Sequence, residues 1–290
     1  MTCIKRAGGR RSRMIRRHRD RVHFSVSPMP RVSAPVDSSD PAEAQWLTVV
    51  PDWRRIDTVC LDMDGTVLDL HFDNLFWLEA LPRRWGAARG LDEQSAMAQL
   101  KPRFDAKRGT LEWYCVDHWS EELGLDVPAL KHELRHEIRY LDGAEAFLDL
   151  LRSSGRRVLL TTNAHPLSLQ VKDAQTQLSR HFDELVSSHE FGVPKEAPAF
   201  WQRLQHGHGV DVRRTLFVDD SAAVLHAALA AGVAWLYQVL QPDSTRPPHA
   251  PLGDVPGVLR LADLGESLRA QLSGVAGPAS APPAGAESPD

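Results

Sequence analysis

The stretch IDTVCLDMDGTVLD, residues 56–69, decides how the rest of this sequence is interpreted. Its first part, Ile56 to Leu61, is a short apolar run rich in β-branched residues, which predicts a buried strand. Asp62 and Asp64 follow directly, where the strand ends and a loop begins. Side chains two residues apart on a strand point the same way, so these carboxylates would repel each other unless a cation lay between them. The stretch therefore predicts a metal site at the carboxyl end of a strand, where open α/β sheets bind ligands.

Composition sets the class of protein. The chain has 290 residues, of which 42% are hydrophobic and 25% are charged, values typical of a soluble globular enzyme. The three cysteines show no paired spacing, so sequence spacing indicates neither a disulfide framework nor a zinc site, and we expect a cytoplasmic location. No apolar run approaches the ~20 residues needed to span a bilayer, so we expect no membrane association.

The two ends of the chain differ in composition from its middle. Residues 1–31 hold ten Lys or Arg and one acid, an arm of charge +9, and since the net charge is −4 the rest carries −13. Such a start is typical of a transit peptide or a nucleic-acid-binding arm, but also of a solvated extension or of a start codon placed too early. We expect residues 1–45 to be a disordered basic arm and linker, residues 273–290 to be a disordered tail, and nucleic acid not to be a partner.

The pattern of the middle predicts the fold. Residues 70–140 show only helical spacing of apolar residues, which predicts a helical cap inserted after the first strand. Its Trp and Tyr residues are expected to form the core of this cap. From residue 141 onward, predicted strands (157–160, 184–187, 215–218 and 233–236) alternate with predicted helices (144–153, 167–180, 198–205 and 222–231). This alternation predicts a doubly wound α/β fold, with a parallel sheet and helices on both faces, built from residues 46–69 and 141–272.

Polar residues follow three of the predicted strands. Asp62 and Asp64 follow the first, Thr162 and Asn163 follow the second, and Asp219 and Asp220 follow a third. Because the carboxyl ends of parallel strands share one edge, we expect these side chains to converge. Four carboxylates at one edge need a cation, and such hard oxygen ligands suit Mg²⁺, which shares its coordination with substrate phosphate oxygens.

The same edge offers donors for a phosphate group. Lys195, in the loop FGVPKEAP, is a cation that could neutralise charge on phosphate oxygens. The other candidate donors are small side chains and backbone N–H groups, namely those of Met63, Gly65, Thr66, Thr162 and Asn163.

Four ordered motifs resemble those of the haloacid dehalogenase superfamily of phosphohydrolases. They are DMDGT at 62–66, LLTTN at 159–163, PKE at 194–196 and FVDDS at 217–221. The cap and its flanks, in LDLHFDNLFW, LEWYCVDHWSEELGLD, TTNAHPLSL and FGVPKE, look like the bacterial purine-nucleotide phosphatases that act on GMP and IMP. This resemblance implies a nucleotide as the small-molecule phosphomonoester substrate.

The resemblance also implies roles for the motif residues. Asp62 would be the nucleophile that forms an aspartyl-phosphate, and Asp64 would be the general acid and then the general base. Asp69 is expected to fix the loop that follows them.

The other motif residues would bind the ion and the phosphate. Mg²⁺ would be held by Asp62, the backbone carbonyl of Asp64 and Asp220, with Asp219 either a direct ligand or a holder of metal-bound water. Thr162 and Lys195 would hold the phosphate oxygens.

Two further interpretations stay open from the sequence. One is a sugar phosphatase or phosphomutase with the same motifs, and the other is a non-catalytic scaffold that binds nucleic acid through the basic arm. The sequence leaves the oligomeric state undecided.

Overall fold

A parallel sheet forms the centre of the computed structural model, which describes residues 50–274. The described part of the sheet has six strands in the order β3-β2-β1-β4-β5-β6, every neighbouring pair being parallel. The predicted basic arm and residues 275–290 of the predicted tail lie outside the described residues. The strands are β1 (Thr58–Leu61), β2 (Arg157–Thr162), β3 (Glu184–Ser187), β4 (Thr215–Asp219), β5 (Trp235–Val239) and β6 (Gly257–Val258).

Helices cover both faces of this sheet, which confirms the predicted doubly wound α/β class. Alternate strand residues point to opposite faces. Leu61 and Leu160 belong to a core that includes Phe147, whereas Cys60 and Leu159 belong to another that includes Trp201. The helices of this part are α6 (Ala144–Ser153), α7 (Pro166–Thr176), α8 (Ser188–Phe191), α9 (Pro198–His208), α10 (Ala222–Ala230) and α11 (Leu261–Leu272).

A purely helical segment separates β1 from β2. We call residues 71–137 the insert, and its side chains form a hydrophobic cluster of their own around Phe104 and Trp119. A π-helical turn, Phe76–Ala80, joins its first two helices. The helices are α1 (His71–Leu75), α2 (Leu81–Ala87), α3 (Glu93–Asp105), α4 (Val116–Leu123) and α5 (Val127–Glu133). The predicted boundaries between cap and core stay a prediction.

The structure differs from the predicted elements in several places, among them the unpredicted short helix α8 and strand β5, which begins at Trp235 rather than at residue 233. Helix α7 stops at Thr176, because Gln177 adopts a left-handed backbone conformation with φ of 56° and a 3₁₀ turn follows. The short strand β6 and helix α11 were not predicted, because two residues are too few for a strand pattern and Pro-rich residues surround them.

Among the described residues, no helix is both long and apolar enough to cross a membrane.

Helix α11 contributes to the core although its sequence pattern was not recognised. Leu264 and Leu268 are fully buried against the α6 side of the sheet, whereas Leu272, in the same helix, is 50% exposed. We expect Leu264→Ala or Leu268→Ala to lower the free energy of unfolding by about 2–5 kcal/mol, because each leaves a cavity. Leu272→Ala should change it by less than about 0.5 kcal/mol. Urea denaturation followed by circular dichroism measures all three, and equal effects would contradict the packing of this helix.

Candidate active site

The sheet register brings the predicted site residues together. Leu61 in β1 pairs with Leu160 in β2 and with Val218 in β4, so the next residue of each strand reaches the same edge. Asp62 donates its backbone N–H to the carbonyl of Val218 at 3.0 Å. The carboxyl ends of three neighbouring strands therefore present their polar residues side by side, as the motif spacing predicted.

Lys195 lies at the centre of this edge. Its side chain is 2% exposed, and its Nζ donates to a carboxylate oxygen of Asp62, to Oδ2 of Asp219 at 2.7 Å and to the carbonyl of Thr161 at 3.0 Å. Burial by itself would lower the pKa of this lysine, but Asp219 and Asp62 together raise the pKa above its ordinary value. The ammonium group therefore stays charged and neutralises part of the carboxylate cluster.

The loop that carries Lys195 is held in place by side chains. The Lys195 backbone N–H donates to Oδ1 of Asn163 at 2.8 Å, and Nδ2 of Asn163 donates to Glu196 at 3.0 Å. The indole of Trp201 donates to the carbonyl of Lys195 at 2.9 Å. Both ends of the Asn163 side-chain amide thus hold this loop. The sequence predicts that Asn163 donates to the phosphate, and in this structure its amide positions Lys195.

The remaining predicted phosphate donors surround the first acids. Thr162 is buried, and its hydroxyl accepts from the backbone N–H of Ala164 at 3.0 Å. Met63 points into the hydrophobic core, so only its backbone can face a ligand. The buried hydroxyl of Thr66 has no hydrogen-bond partner within the described part of the chain.

The predicted metal ligands form a compact group. Asp62, Asp219 and Asp220 each place a carboxylate oxygen within 4.8 Å of the others. Asp219 is committed to Lys195 and to the backbone N–H of Ser221, at 2.8 Å. Asp220, by contrast, forms no ion pair among residues 50–274. Burial, followed by the charges of Asp219 and Asp62, raises the pKa of Asp220 well above its ordinary value.

These residues fit a divalent cation. The charged groups that line the cavity comprise five carboxylates (Asp62, Asp64, Asp73, Asp219 and Asp220), three ammonium groups (Lys131, Lys172 and Lys195) and the exposed guanidinium of Arg108. At the sheet edge itself, Asp62, Asp219 and Asp220 together carry three negative charges when ionised against the one positive charge of Lys195, an excess that one divalent cation would balance. Gly65 also favours such a site, because a Cβ at its φ of 86° would lie 2.8 Å from Oδ2 of Asp220 and close the space beside it.

Asp64 belongs to a second ion-pair network, which sequence reasoning missed. Its carboxylate accepts from Nζ of Lys172 at 2.5 Å, and the same Nζ donates to Asp73, in the insert, at 2.6 Å. Lys131, in α5, contacts the other oxygen of Asp73 at 2.7 Å. Lys131 and Lys172 are both almost fully buried. The network therefore connects a candidate catalytic acid directly to the insert.

The two acids nearest the expected phosphate have raised pKa values. Burial raises the pKa of Asp62 to about 6 against the opposing effect of Lys195. Burial likewise raises the pKa of Asp64 to about 6, while Lys172 opposes this shift and Asp73 adds to it. At neutral pH a proton can therefore move on and off Asp64 at small cost in free energy.

Asp69 fixes the loop between β1 and the insert, which supports its predicted role. Its carboxylate accepts from the backbone N–H of His71 at 3.0 Å and from the hydroxyl of Ser244 at 2.6 Å. Arg139 forms an ion pair with it at 3.0 Å. The carboxylate is thus fully used in binding neighbouring segments.

A cavity of about 500 Å³ extends from this edge to the insert. The predicted packing of the insert aromatics is confirmed for Trp85 and Trp119, which are buried in its hydrophobic cluster. Trp77, Trp113 and Tyr114 also line the cavity, and the hydroxyl of Tyr114 donates to Glu196 of the Lys195 loop at 2.7 Å. One cavity therefore has an ionic end on the sheet and an aromatic end on the insert.

The burial of Asp220 makes a testable prediction about stability. In metal-free protein near pH 7.5, we expect Asp220→Asn to raise the free energy of unfolding, because the raised pKa of this carboxyl reflects a charge that burial disfavours. The advantage should disappear as the pH falls through the folded pKa towards about 4, the pKa of an unfolded Asp, because the wild-type group is then protonated. Saturating Mg²⁺ should reverse the order of the two proteins. Urea titrations at both pH values, with and without Mg²⁺, measure this, and a pH-independent difference would contradict it.

Comparison with known proteins agrees with the motifs and the fold. The model of a haloacid dehalogenase-like hydrolase family matches residues 56–232. The GMP/IMP nucleotidase YrfG of Escherichia coli (strain K12) is 44% identical over 192 residues, covering 66% of this chain and 86% of that protein. The phosphoglycolate phosphatase of Pseudomonas syringae pv. tomato is 26% identical over 181 residues, which cover 61% of this chain and 66% of that protein.

Solved structures share the fold at low sequence identity. A HAD phosphatase from Thermococcus onnurineus superposes with a TM-score of 0.62 and 18% identity, covering 73% of this chain and 98% of the other. A putative beta-phosphoglucomutase from Thermotoga maritima gives a TM-score of 0.52 at 17% identity, with 74% and 99% coverage. At such identities the likeness concerns the fold alone. Taken with the family match over most of the described residues, it shows that this chain is an enzyme of the haloacid dehalogenase-like hydrolase family.

Proposed function

We propose that this enzyme is a Mg²⁺-dependent phosphomonoester hydrolase that acts on purine nucleoside 5′-monophosphates such as GMP and IMP. The observation that carries the proposal is the single cavity that joins the acidic sheet edge to the aromatic wall of the insert. A phosphate needs the first end and a purine base suits the second. The relative from E. coli, which is named for GMP and IMP, supports the choice of base.

Asp62 is the nucleophile in this proposal. Its carboxylate oxygen attacks phosphorus, the bond from phosphorus to the nucleoside 5′-oxygen breaks, and an aspartyl-phosphate remains. The contact with Lys195 favours the ionised, nucleophilic form of Asp62 although burial opposes it. Thr162 donates to the phosphate oxygens in this proposal, and Lys195 does so by exchanging one of its three present acceptors, Asp62, Asp219 or the carbonyl of Thr161.

Asp64 moves the proton. In the first step its carboxyl gives a proton to the departing 5′-oxygen, and in the second its carboxylate takes a proton from the water that attacks phosphorus. The bond between phosphorus and Asp62 then breaks, and inorganic phosphate leaves. The pKa of about 6 suits both tasks, because each protonation state is accessible near neutral pH.

Asp62, Asp219, Asp220 and the backbone carbonyl of Asp64 would hold the magnesium ion. Mg²⁺ bound there would neutralise charge on the phosphate and favour in-line attack. Of the three carboxylates in the compact group, Asp62 and Asp219 pair with Lys195 whereas Asp220 has no ion pair within residues 50–274, which suits it as a direct ligand. Asp219 accepts hydrogen bonds from Lys195 and from the backbone N–H of Ser221. In this proposal it therefore orients Lys195 in addition to contributing to the metal site.

The insert supplies the selectivity in this proposal. Trp77 and Trp113 offer ring surfaces to a planar base, and the guanidinium of Arg108 lies 5.2 Å from the Trp113 ring centre. Aromatic stacking on a base contributes about 1–3 kcal/mol, enough to prefer a nucleotide over a small sugar phosphate. In this proposal residues 70–140 act as a cap over the site. The proposal also includes a cytoplasmic location for the enzyme.

One prediction of the proposed function concerns the substrate and the nucleophile. Purified protein with Mg²⁺ should release phosphate from GMP and IMP with a higher kcat/KM than from sugar phosphates or phosphoglycolate. Asp62→Asn should remain folded and lose at least about 10³-fold in kcat, because no carboxylate remains to attack phosphorus. A malachite-green assay over a panel of phosphomonoesters measures both.

The result also decides between the open interpretations. Sugar phosphates hydrolysed better than every nucleotide would replace the proposed substrate class, and full activity of Asp62→Asn would refute the mechanism. No hydrolysis of any ester, together with salt-sensitive RNA binding, would favour the scaffold interpretation.

Another prediction of the proposed function concerns Lys172 as a positioning residue. Lys172→Met removes the cation between Asp64 and Asp73, so we expect kcat to fall by about 10²-fold with a much smaller change in KM. The pH at which activity declines on the alkaline side should rise, because Lys172 opposes the upward pKa shift of Asp64. Lys172→Arg should restore part of the rate.

The matched control is Lys101→Met, which removes an exposed lysine that also pairs with an aspartate, Asp105. It should leave kcat and the pH profile unchanged. A pH–rate profile of the three variants tests the role, and an unaltered profile in Lys172→Met would show that Lys172 only supports the fold.

A further inference from the structure

A second group of metal-ligating side chains lies where the insert meets the α/β core. Cys115 directly precedes α4 of the insert, His165 directly precedes α7, and His189 lies within α8. One ligand atom from each residue lies within 4.8 Å of the others. None of the three lines the cavity that holds the acidic edge. Three soft or borderline ligands from three separate elements thus converge outside the candidate active site.

His189 is oriented as a ligand. Its Nε2 atom is buried and has no hydrogen-bond partner in the described part of the chain. A hydrogen bond joins its ring to the backbone of Asn163, so Nδ1 carries the proton and Nε2 presents its lone pair. A backbone carbonyl that fixes the tautomer in this way is a common feature of metal-binding histidines. Burial, with a contribution from His165, lowers the pKa of His189 to about 4, so the ring is neutral at physiological pH.

His165 faces the same point. Its ring meets the His189 ring edge to face, with centroids 4.8 Å apart. Its Nε2 lies 3.6 Å from Oδ2 of Asp117, while its Nδ1 accepts a long, 3.3 Å hydrogen bond from the backbone of Leu167. Binding a metal through Nε2 would move the proton to Nδ1, which could then no longer accept from Leu167, so this long hydrogen bond would be lost.

Cys115 completes the set from the insert. Its thiol is buried, and its sulfur accepts from the backbone N–H of His118 at 3.4 Å, at the first turn of α4. A helix N-terminus favours the thiolate, which is the form that binds metals. Asp117, two residues later, is largely exposed and lies beside His165 but outside the compact group of three, so its carboxylate would swing inward to become a fourth ligand.

We propose that Cys115, His165 and His189, with Asp117 as fourth ligand, bind a zinc ion that joins the insert to the α/β core. Thiolate and imidazole together are ligands that zinc prefers, whereas the acidic edge offers only the hard oxygen atoms that suit Mg²⁺. Ligand atoms in a tetrahedral zinc site lie about 3.3–3.8 Å apart, as bond lengths of about 2.0–2.3 Å require. The three ligand atoms would therefore approach one another by at most about 1.0–1.5 Å.

The proposed zinc ion would restrain the insert relative to the α/β core. Cys115 and Asp117 belong to the insert, while His165 and His189 follow strands of the sheet. An ion bound by both sets restrains the insert against the edge that carries Asn163, and it does so without touching the carboxylates at the acidic edge.

Cobalt substitution tests the site independently of activity. The full chain carrying Cys3→Ser, stripped of metal and supplied with excess Mg²⁺, should bind one Co²⁺ with a thiolate-to-cobalt charge-transfer band that Zn²⁺ abolishes. Cys115→Ser and His189→Gln should each remove the band and weaken zinc binding by at least about 10-fold. Asp220→Asn, at the acidic edge, and His206→Gln, an exposed histidine, should keep both.

Folding and bridging have their own measurements. Thermal unfolding of each metal-free variant shows whether it is folded, and if Cys115→Ser is not, His189→Gln decides. Zinc should slow amide hydrogen exchange in residues 116–123 of the parent chain but not of His189→Gln. The proposal is overturned if no band forms, if the band survives in the folded Cys115 or His189 variants, or if zinc binding depends only on Asp220.

Discussion

The buried ion pairs of Lys195 with Asp62 and Asp219 are the interactions on which the rest of the site depends. Parallel pairing of β1 and β4 places two carboxylates in register at one edge, where neither can move away. Two like charges at about 4 Å repel by about 4 kcal/mol at an effective dielectric of 20, and more where water is excluded. A cation between them therefore offsets this repulsion where the fold holds the two carboxylates together. The bonds of Asn163 and Trp201 to the Lys195 backbone show how much of the neighbouring structure serves to keep that cation in place.

The same physics explains why the edge suits catalysis. Stability would be higher with fewer buried acids, and the raised pKa values of Asp62, Asp64 and Asp220 measure how strongly the fold disfavours their charges. Natural enzymes commonly accept such costs at their sites, because a charge that is poorly solvated by the protein interacts strongly with ligands. Here the uncompensated charge is negative and local, which is the condition for binding a divalent cation.

The insert is connected to this edge by polar contacts as well as by packing. Lys172 links Asp64 to Asp73, and the hydroxyl of Tyr114 reaches Glu196, so two residues of the insert contact the neighbourhood of the candidate catalytic groups. Any movement of the insert would break one or both of these contacts. The position of the insert and the electrostatic environment of Asp64 are therefore coupled, because Lys172 contacts both Asp64 and Asp73 of the insert. The group around His189 adds a third place where insert and core meet.

The sequence by itself determined the α/β class, the order of most strands and helices, and the residues that gather at the sheet edge. It could do so because these depend on local signals, namely apolar runs of strand length and polar residues where such runs end. Only the tertiary structure showed Lys172, Asp73 and Lys131 as a buried network, because a lysine within a helix has the same local pattern whether it faces solvent or a carboxylate. The two-residue strand β6 also needed the folded structure, whereas α11 carries a helical apolar pattern in Leu261, Leu264 and Leu268 that sequence reasoning overlooked. The convergence of Cys115, His165 and His189 had no sequence signal, because ligands from three distant segments have no spacing to recognise. Asp62, Asp64 and Lys195 could thus be identified from the chain alone, whereas Lys172, the cation that pairs with Asp64, was decided by the fold.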